Sequence, residues 1–237
     1  MSPDAASPVP TPRTGWASLR DLNRSQWFVF FVCCLAWDMD CMDQQLFALA
    51  RRPAMNELVP VVTPEDARLP AHVQKLNEQA EKQGKKPVDT EQAIKSLRDA
   101  DVGKAAGDAT SIFLIGWAVG GIGFGVLGDR WGRVKTLTST VLLYALFTGL
   151  SALSNSVLDF HFYRFLTGLG VGGVFAASVT LLAETMPDNA RPFVIGLFQA
   201  SSVLGNCTAA IISMWLGSLQ QDGAFVGETL FGFPMSP

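Results

Sequence analysis

The chain has 237 residues, of which 49% are hydrophobic and 16% charged, and its net charge is −3. A soluble domain usually carries about 25% charged residues, whereas the charge here is concentrated in residues 1–26 and 51–108. The nearly balanced charge does not point to a nucleic-acid partner. The spacing of the four cysteines and two histidines indicates neither a disulfide framework nor a metal site, and we expect no cofactor. The composition favours an integral membrane protein.

Residues 1–26 form a predicted cytoplasmic tail and lead-in. Residues 1–14 are rich in Pro and Ser and are expected to be disordered. Arg13, Arg20 and Arg24 precede the first apolar run, which places this end in the cytoplasm by the excess of positive charge on that side of membranes. A secretory signal peptide is the alternative, because "ALA" at 48–50 matches a cleavage site, but three aspartates separate it from the apolar run.

Residues 27–50 form the first predicted transmembrane helix, which begins as "WFVFFVCCLAW" and then contains Asp38, Asp40 and Asp43. Asp40 and Asp43 share a helix face, and Asp38 points elsewhere. A charge inside a span costs at least about 2.5–3.5 kcal/mol, so these carboxylates need a partner or a water-filled cavity. The alternative is that the span ends near Trp37 and that the aspartates lie in interfacial water.

Residues 51–108 form a predicted polar cap on the extracytoplasmic side. The segments "AHVQKLNEQAEKQ" and "TEQAIKSLRDA" predict two short amphipathic helices, with "GKKP" between them. The ten Lys and Arg residues of this insert oppose an outside location. Long segments translocate largely regardless of charge. Arg51 and Arg52, directly after the first helix, still argue against an extracytoplasmic location. The cap either binds a partner or is simply solvated.

Four further stretches are uncharged and long enough to cross a bilayer, which needs roughly 20 apolar residues per helix. They are residues 111–128, 136–155, 165–183 and 192–219. Residues 109–219 therefore hold predicted transmembrane helices two to five, followed by an extracytoplasmic tail at 220–237. A soluble bundle would need several helices that are apolar all round, which disfavours it. The predicted fold class is an all-α integral membrane bundle of five helices.

The charged segment "GVLGDRWGRVK" at 125–135 separates two of these helices. A tight turn has to satisfy the backbone ends of both helices. Gly132 is expected to permit the turn and Gly125 the close approach of the helices. The pattern Gly125-x-Leu127-x-Asp129-Arg130-x-Gly132-Arg133 resembles the signature between the second and third helices of the major facilitator superfamily, and it lies at that position in the predicted topology.

Other segments share this resemblance. "YRFLTGLGVGG" at 163–173 is similar to the fourth-helix pattern of the family, and "ETMPDNAR" to the acidic–basic pair that follows it. The residues that carry the resemblance are Arg164 on the fourth predicted helix, Glu184 with Arg191 after that helix, and Gln199 with Gly205 on the fifth helix. On the first helix, Asp40-x-x-Asp43 resembles the paired aspartates of carboxylate:proton symporters. The resemblance implies a secondary transporter that takes up an organic acid or a sugar-like solute with protons.

The resemblance also implies roles for these residues. Asp129, Arg133, Glu184 and Arg191 would form a cytoplasmic charge cluster that holds the outward-facing state, although independent solvated charges are the alternative. Gln199 would contact substrate, or else join helices by a hydrogen bond.

The predicted topology places the aspartates of the first helix and Arg164 at comparable depths. An Asp–Arg pair across the cavity is therefore expected. Desolvation favours the neutral carboxyl and a nearby Arg favours the carboxylate, so substrate binding would shift the balance and couple it to a proton.

Several glycines are spaced for helix packing. Gly116/Gly120, Gly121/Gly125 and Gly168/Gly172 are small-xxx-small pairs. Residues 168–173 also match the dinucleotide-binding fingerprint literally, but they lie within an apolar span and no strand precedes them, so the match is spurious.

An intramembrane aspartyl protease is disfavoured because its G-x-G-D element is missing: the stretch here is Val126-Leu127-Gly128-Asp129, within a basic turn. We expect a transporter and no enzyme, in the plasma (inner) membrane, with lipid, solute and protons as partners. The family unit has twelve helices in two halves, and this sequence supplies five, so a fragment or a complementing second chain is expected and the chain alone is not expected to transport. The alternative is a non-transporting membrane protein whose 51–108 cap binds a partner.

Overall fold

The computed structural model describes residues 15–84, 86–221, 229–230 and 233–234. Its elements are a 3-10 helix Gly15–Asp21 and the helices α1 Arg24–Leu58, α2 Leu69–Lys82, α3 Thr90–Trp131, α4 Arg133–Ser151, α5 Val157–Thr185 and α6 Arg191–Gln221. Two short strands, β1 Thr229–Leu230 and β2 Phe233–Pro234, pair antiparallel. The all-α fold is thus confirmed. The expected disordered tail at 1–14 and most of the predicted tail at 220–237 lie outside the described residues.

In the part of the chain that the structure describes, four helices are long and apolar enough to cross a membrane, namely α3, α4, α5 and α6. Helix α1 is not among them, because its aspartates interrupt the apolar run. It nevertheless continues as one helix past Asp38, Asp40 and Asp43 and does not end near Trp37. All five segments predicted to span the membrane are therefore helical.

The helix boundaries in the 51–108 insert differ from the expected ones. Helix α1 ends at Leu58 rather than at residue 50, and it includes Pro53. The first predicted amphipathic helix is α2, but the second is not separate, because its residues form the first turns of α3. No proline interrupts 90–131, and residues 90–110 bury a periodic apolar face made of Ala93, Leu97, Val102, Ala105, Ala106 and Ala109. Helical periodicity continues from the insert into the apolar span, so the helix does too.

The described residues group into two compact units. The first comprises the described parts of Met1–Leu46, Gly125–Leu137 and Val174–Pro237, and the second comprises those of Phe47–Phe124 and Thr138–Gly173.

The core of the first unit contains an aromatic cluster. The ring centroid of Trp37 lies 5.0 Å from that of Phe175 and 5.8 Å from that of Phe198. On α6, Gly205 packs against α1, since a Cβ there would collide with the backbone carbonyl of Asp38.

The segment before α1 is also ordered in the first unit. Asn23 and Gln26 cap α1 reciprocally, each side chain accepting a hydrogen bond from the other's backbone N–H. The Gln26 side chain donates to the carbonyl of Thr185 at 2.8 Å, and the Trp16 ring meets the Phe193 ring edge-on at 5.0 Å. These contacts tie the predicted polar lead-in to the end of α5 and the start of α6.

In the second unit, glycines bring α3 and α5 into backbone contact. A Cβ at Gly116 or Gly120 would collide with the carbonyl of Phe165 or Leu169, respectively. From the other side, a Cβ at Gly168 or Gly172 would collide with carbonyls of α3. The packing role predicted for these two pairs is confirmed.

The insert has an apolar cluster of its own in the second unit, with Val62, Leu69, Ala93 and Leu97 buried together. At its surface, Arg68 binds Asp66 at 2.8 Å and Asp101 at 3.0 Å. The hydrogen bonds from Arg68 lower the pKa of Asp66 to about 2. Since the folded pKa is depressed, this contact stabilises the insert above the ordinary carboxyl pKa, and the stabilisation is lost as the pH falls towards 2.

Substitution of Gly120 tests the α3–α5 packing. Gly120→Ala is expected to lower the free energy of unfolding by about 1–3 kcal/mol, the usual cost of overpacking, because the new methyl group meets the backbone of Leu169. Gly123→Ala on the same helix is the matched control, since no atom from another helix of the described structure lies within 4 Å of its Cβ position. There the better helix propensity of Ala should leave stability unchanged or raised. Denaturant titration in micelles, followed by circular dichroism, measures both, and equal effects would contradict the packing.

Candidate functional site

Arg133, the first residue of α4, is the centre of an ionic cluster in the first unit. Its Nη2 lies 2.8 Å from Glu184 Oε1 and 2.5 Å from Asp129 Oδ1. Its Nε also donates to Glu184 Oε1 at 3.0 Å, and its Nη1 to the carbonyl of Gly125 at 3.4 Å. The Arg133 side chain is 16% exposed, whereas both carboxylates are more than half exposed. This Arg133 cluster joins the end of α3, the start of α4 and the end of α5.

The turn between α3 and α4 is made by Gly132, whose φ of +91° is a conformation that residues with a Cβ rarely adopt. The role expected for Gly132 is therefore seen. The role expected for Gly125 is not, because no atom of the structure lies within 4 Å of its Cβ position, and its part here is to present a carbonyl to Arg133. Arg130 is exposed and forms no ion pair among the residues described.

Arg191 does not join the Arg133 cluster through an ion pair to Glu184 in the described structure. It binds Asp188 at 2.8 Å, and its Nη2 lies 3.5 Å from the carbonyl of Met186. Of the four charges expected to cluster, the structure thus brings Asp129, Arg133 and Glu184 together. The local pair of Asp188 and Arg191, three residues apart, was visible in the sequence, but the contact of Arg133 with Glu184, 51 residues apart, was not.

Asp40 is the most buried carboxylate of α1, with no exposed surface. Its Oδ2 accepts a hydrogen bond from Gln44 Nε2 at 3.0 Å, while its Oδ1 is buried without a hydrogen-bond partner among the described residues. Trp37 lies one turn earlier, and its Nε1–H donor is also buried without a hydrogen-bond partner among the described residues. Asp43 is half-buried, and Asp38 has its Oδ1 buried without a hydrogen-bond partner among the described residues.

Arg164, on α5 in the second unit, is 6% exposed. Its guanidinium carbon lies 3.6 Å from the centroid of the Phe47 ring and 5.6 Å from that of Phe160. A cation over an aromatic face is attracted by the ring quadrupole, most strongly where water is excluded. The two rings therefore hold the guanidinium within an apolar helix.

Gln199 lies on an exposed face of α6. Its backbone carbonyl accepts a hydrogen bond from the Ser202 hydroxyl, and no hydrogen bond from its side chain occurs in the described part of the chain. The alternative role of joining helices by a hydrogen bond is therefore not observed. Gly205, its companion in the motif, makes the helix contact instead.

Sequence reasoning missed Gln44, Phe47 and Phe160. Gln44 follows Asp40 by four residues, and Phe160 precedes Arg164 by four, so both spacings place the partner on the same helix face. That signal was available. Phe47 and Arg164 lie on different helices, and nothing in the sequence pairs them.

The described residues contain no group of three or more His, Cys, Asp or Glu side chains that could hold a metal ion.

Comparison with known proteins identifies a family. The family model described as "Sugar (and other) transporter" matches residues 71–233. The cis,cis-muconate transport protein of Acinetobacter baylyi is 36% identical over 111 residues, 47% of this chain and 27% of that protein. The 4-hydroxybenzoate transporter PcaK of Pseudomonas aeruginosa is 36% identical over 107 residues, 45% of this chain and 24% of that protein.

A glucose transport protein of Synechocystis is 32% identical over 126 residues, which cover 53% of this chain and 27% of that protein. The chain thus spans about a quarter of the length of these curated relatives. No solved structure matches it.

A double-mutant cycle tests the Arg133 cluster. Arg133→Ala and Glu184→Ala are expected to show a coupling energy near the upper end of the roughly 0.2–1 kcal/mol range of exposed ion pairs, since Arg133 is mostly buried. The control cycle pairs Arg191→Ala with Asp188→Ala. It should show almost no coupling, because the Asp188 side chain is 92% exposed. Both cycles are measured as free energies of unfolding in micelles, and a larger coupling in the control would refute the assignment.

Proposed function

Because the chain belongs to the sugar (and other) transporter family of the major facilitator superfamily, we propose that it forms part of a proton-coupled secondary transporter for a small polar solute. Its relatives named above transport a dicarboxylic acid, a hydroxylated aromatic acid or a sugar. An organic acid is favoured by the buried aspartate and arginine side chains in its apolar helices. The relatives are transporters, which argues against an enzyme.

The observation that carries this proposal is the burial of Asp40. A carboxyl group that has no exposed surface and only one hydrogen-bonded oxygen is costly to keep in an apolar helix. Ionisable groups inside membrane segments usually mark ion or substrate pathways. We assign proton coupling to Asp40 and Asp43, and we assign substrate binding to the buried cation Arg164. The exposed side chain of Gln199 is assigned to substrate contact.

The Arg133 cluster is proposed to control the conformational cycle. Transporters of this kind work by rocking one helical bundle against another around a central site. Ion pairs with exposed carboxylates are weak, so they can break and form within each cycle. Asp129, Arg133 and Glu184 carry this role. Gly132 makes the turn, Gly125 presents its carbonyl to Arg133, Arg130 adds an exposed charge beside them, and Arg191 is held separately by Asp188.

We propose that the N-terminus is cytoplasmic, that the 51–108 insert lies outside and that the membrane is the plasma membrane. The basic residues of the insert had opposed this orientation. Several of them are used in its structure: Arg51 donates to Thr110 at 2.9 Å, and Arg98 donates to the carbonyl of Asn56 at 3.0 Å. Because long segments translocate largely regardless of their charge, we base the orientation on the shorter loops.

Transport is proposed to need helices beyond those described here, in a complementing half or second chain. This is supported by the share of the relatives that the chain covers, about a quarter.

Proteoliposomes test the transport proposal. Vesicles that contain the chain together with the unmatched part of the muconate transporter are expected to take up a labelled carboxylate only under an inward proton gradient. Asp40→Asn should abolish the dependence on the gradient, because an amide cannot exchange the proton. Asp159→Asn, at an exposed carboxylate of α5, is the control and should retain it. Uptake that is indifferent to the gradient, or full uptake by the chain alone, would count against the proposal.

Cysteine labelling tests the orientation. In intact cells, a membrane-impermeant maleimide is expected to label Gln79→Cys on α2, because the insert faces outside, and to miss Lys135→Cys until the membrane is permeabilised. Both positions are exposed, so accessibility in the folded chain does not distinguish them. The reverse labelling pattern would invert the topology.

A further inference from the structure

Three aromatic rings lie about one helical turn from Asp40 in the first unit. Trp37 of α1, Phe175 of α5 and Phe198 of α6 are mutual neighbours, with ring centroids 5.0, 5.8 and 6.4 Å apart. We propose that these three rings, the Trp37 barrier, close the route from Asp40 to the N-terminal end of α1, so that the proton reaches Asp40 from the other end. This step rests on the proton-coupling role proposed for Asp40 and adds the side from which the proton is exchanged.

The part of α1 that precedes Asp40 is apolar and buried on the face of the carboxyl group. Trp37 and Cys33 lie one and two turns earlier on that face. Cys33 has no exposed surface, and Trp37 is 7% exposed. No charged residue occurs in α1 between Arg24 and Asp38. Because a charge is costly in such surroundings, a proton does not leave Asp40 by this route while the rings are packed.

The two helices packed against α1 are buried toward the same end. The Gln26 side chain donates to the carbonyl of Thr185, which places the end of α5 beside the start of α1. Leu182, which follows Phe175 by two turns of α5, has no exposed surface. Val194, one turn before Phe198 on α6, is also buried. Apolar burial therefore continues from the rings toward this end on all three helices.

Beyond Asp40, α1 becomes polar and partly exposed. Asp40 Oδ2 accepts a hydrogen bond from Gln44 Nε2 at 3.0 Å, one turn further along the helix. Asp43 and Gln44 are half-buried, and Gln45 is exposed. Asp40 therefore has a polar contact toward the C-terminal end of α1 and an aromatic barrier toward the N-terminal end. This asymmetry gives proton exchange a direction.

The Trp37 barrier belongs to one helical unit. Rocking of one bundle against another opens a central site to each side of the membrane in turn. The barrier is formed by α1, α5 and α6 of the first unit, so it is expected in this chain without a complementing half. Proton access to Asp40 is thus limited by ring packing inside the unit, in addition to the rocking motion.

Thiol labelling of the full chain in vesicles of both orientations tests the barrier. Cys41, next to Asp40 and beyond the rings, is left as the single thiol by alanine at the three other cysteines, Cys33, Cys34 and Cys207. A membrane-impermeant methanethiosulfonate is expected to reach Cys41 only from the membrane side on which α1 ends. Trp37→Ala should raise the rate from the opposite side roughly tenfold, since one aromatic pair is worth up to about that factor. Trp37→Phe should restore the low rate, because a ring remains.

Two further variants separate the barrier from a general loosening of α1. Phe28→Ala is the matched control and should leave both rates unchanged, because this ring is 70% exposed on the same helix. Phe175→Ala removes the ring nearest to Trp37 from α5 and should act like Trp37→Ala. Equal rates for Trp37→Ala and Phe28→Ala, or a rate for Trp37→Phe as high as that for Trp37→Ala, would overturn the barrier.

Proton flux in proteoliposomes that contain the full chain alone is the second readout. Trp37→Ala is expected to leak protons roughly tenfold faster than the parent chain, and the added change Asp40→Asn should remove the leak. A leak that survives Asp40→Asn would overturn the link to Asp40. Gradient-driven uptake by the complemented chain without the expected labelling pattern would overturn the barrier alone. The expected labelling pattern without any gradient-driven uptake would overturn the proposed function alone.

Discussion

The backbone contact between α3 and α5 is the constraint on which the second unit depends. Gly116 and Gly120 of α3 face the carbonyls of Phe165 and Leu169. From α5, Gly168 and Gly172 face backbone carbonyls of α3. In lipid, helices gain little from burying apolar side chains against one another, so close backbone packing supplies much of the association. On its other side, α5 meets α4 through Gly170, whose Cβ position is occupied by Tyr144. Helix α5 is the most buried of the apolar helices, and it carries Arg164.

The charged groups of the apolar segments are stabilised in different ways. Arg133 is met by two carboxylates that remain exposed, which permits a weak and reversible contact. The guanidinium of Arg164 lies against the rings of Phe47 and Phe160. Asp40 is hydrogen-bonded through one oxygen only. The three groups therefore differ in how far their charge is compensated by neighbouring side chains.

Much of the fold could be predicted from the sequence, because apolar length and helical period are local properties. The five apolar segments, α2 and the turn at Gly132 follow from them. The continuity of the insert with the second predicted membrane helix did not follow from the sequence. The periodic alanines of 90–110 run on into the apolar span as one helix, α3, and no proline marks a boundary. Gly125 was expected to permit helix approach, as its small-xxx-small spacing with Gly121 suggests, yet its Cβ position is open. Spacing shows that a glycine could pack, but not whether another helix is there.

The sequence by itself determined the all-α membrane class, the family resemblance and the identity of the charged residues in apolar segments, since each is recorded in composition or in a short motif. Only the tertiary structure decided their partners. It joined Arg133 to Glu184 across 51 positions and placed the Phe47 ring over the guanidinium of Arg164. Such contacts depend on how helices rotate and approach in space. That arrangement is set by the packing of many side chains together, and no single stretch of sequence carries it.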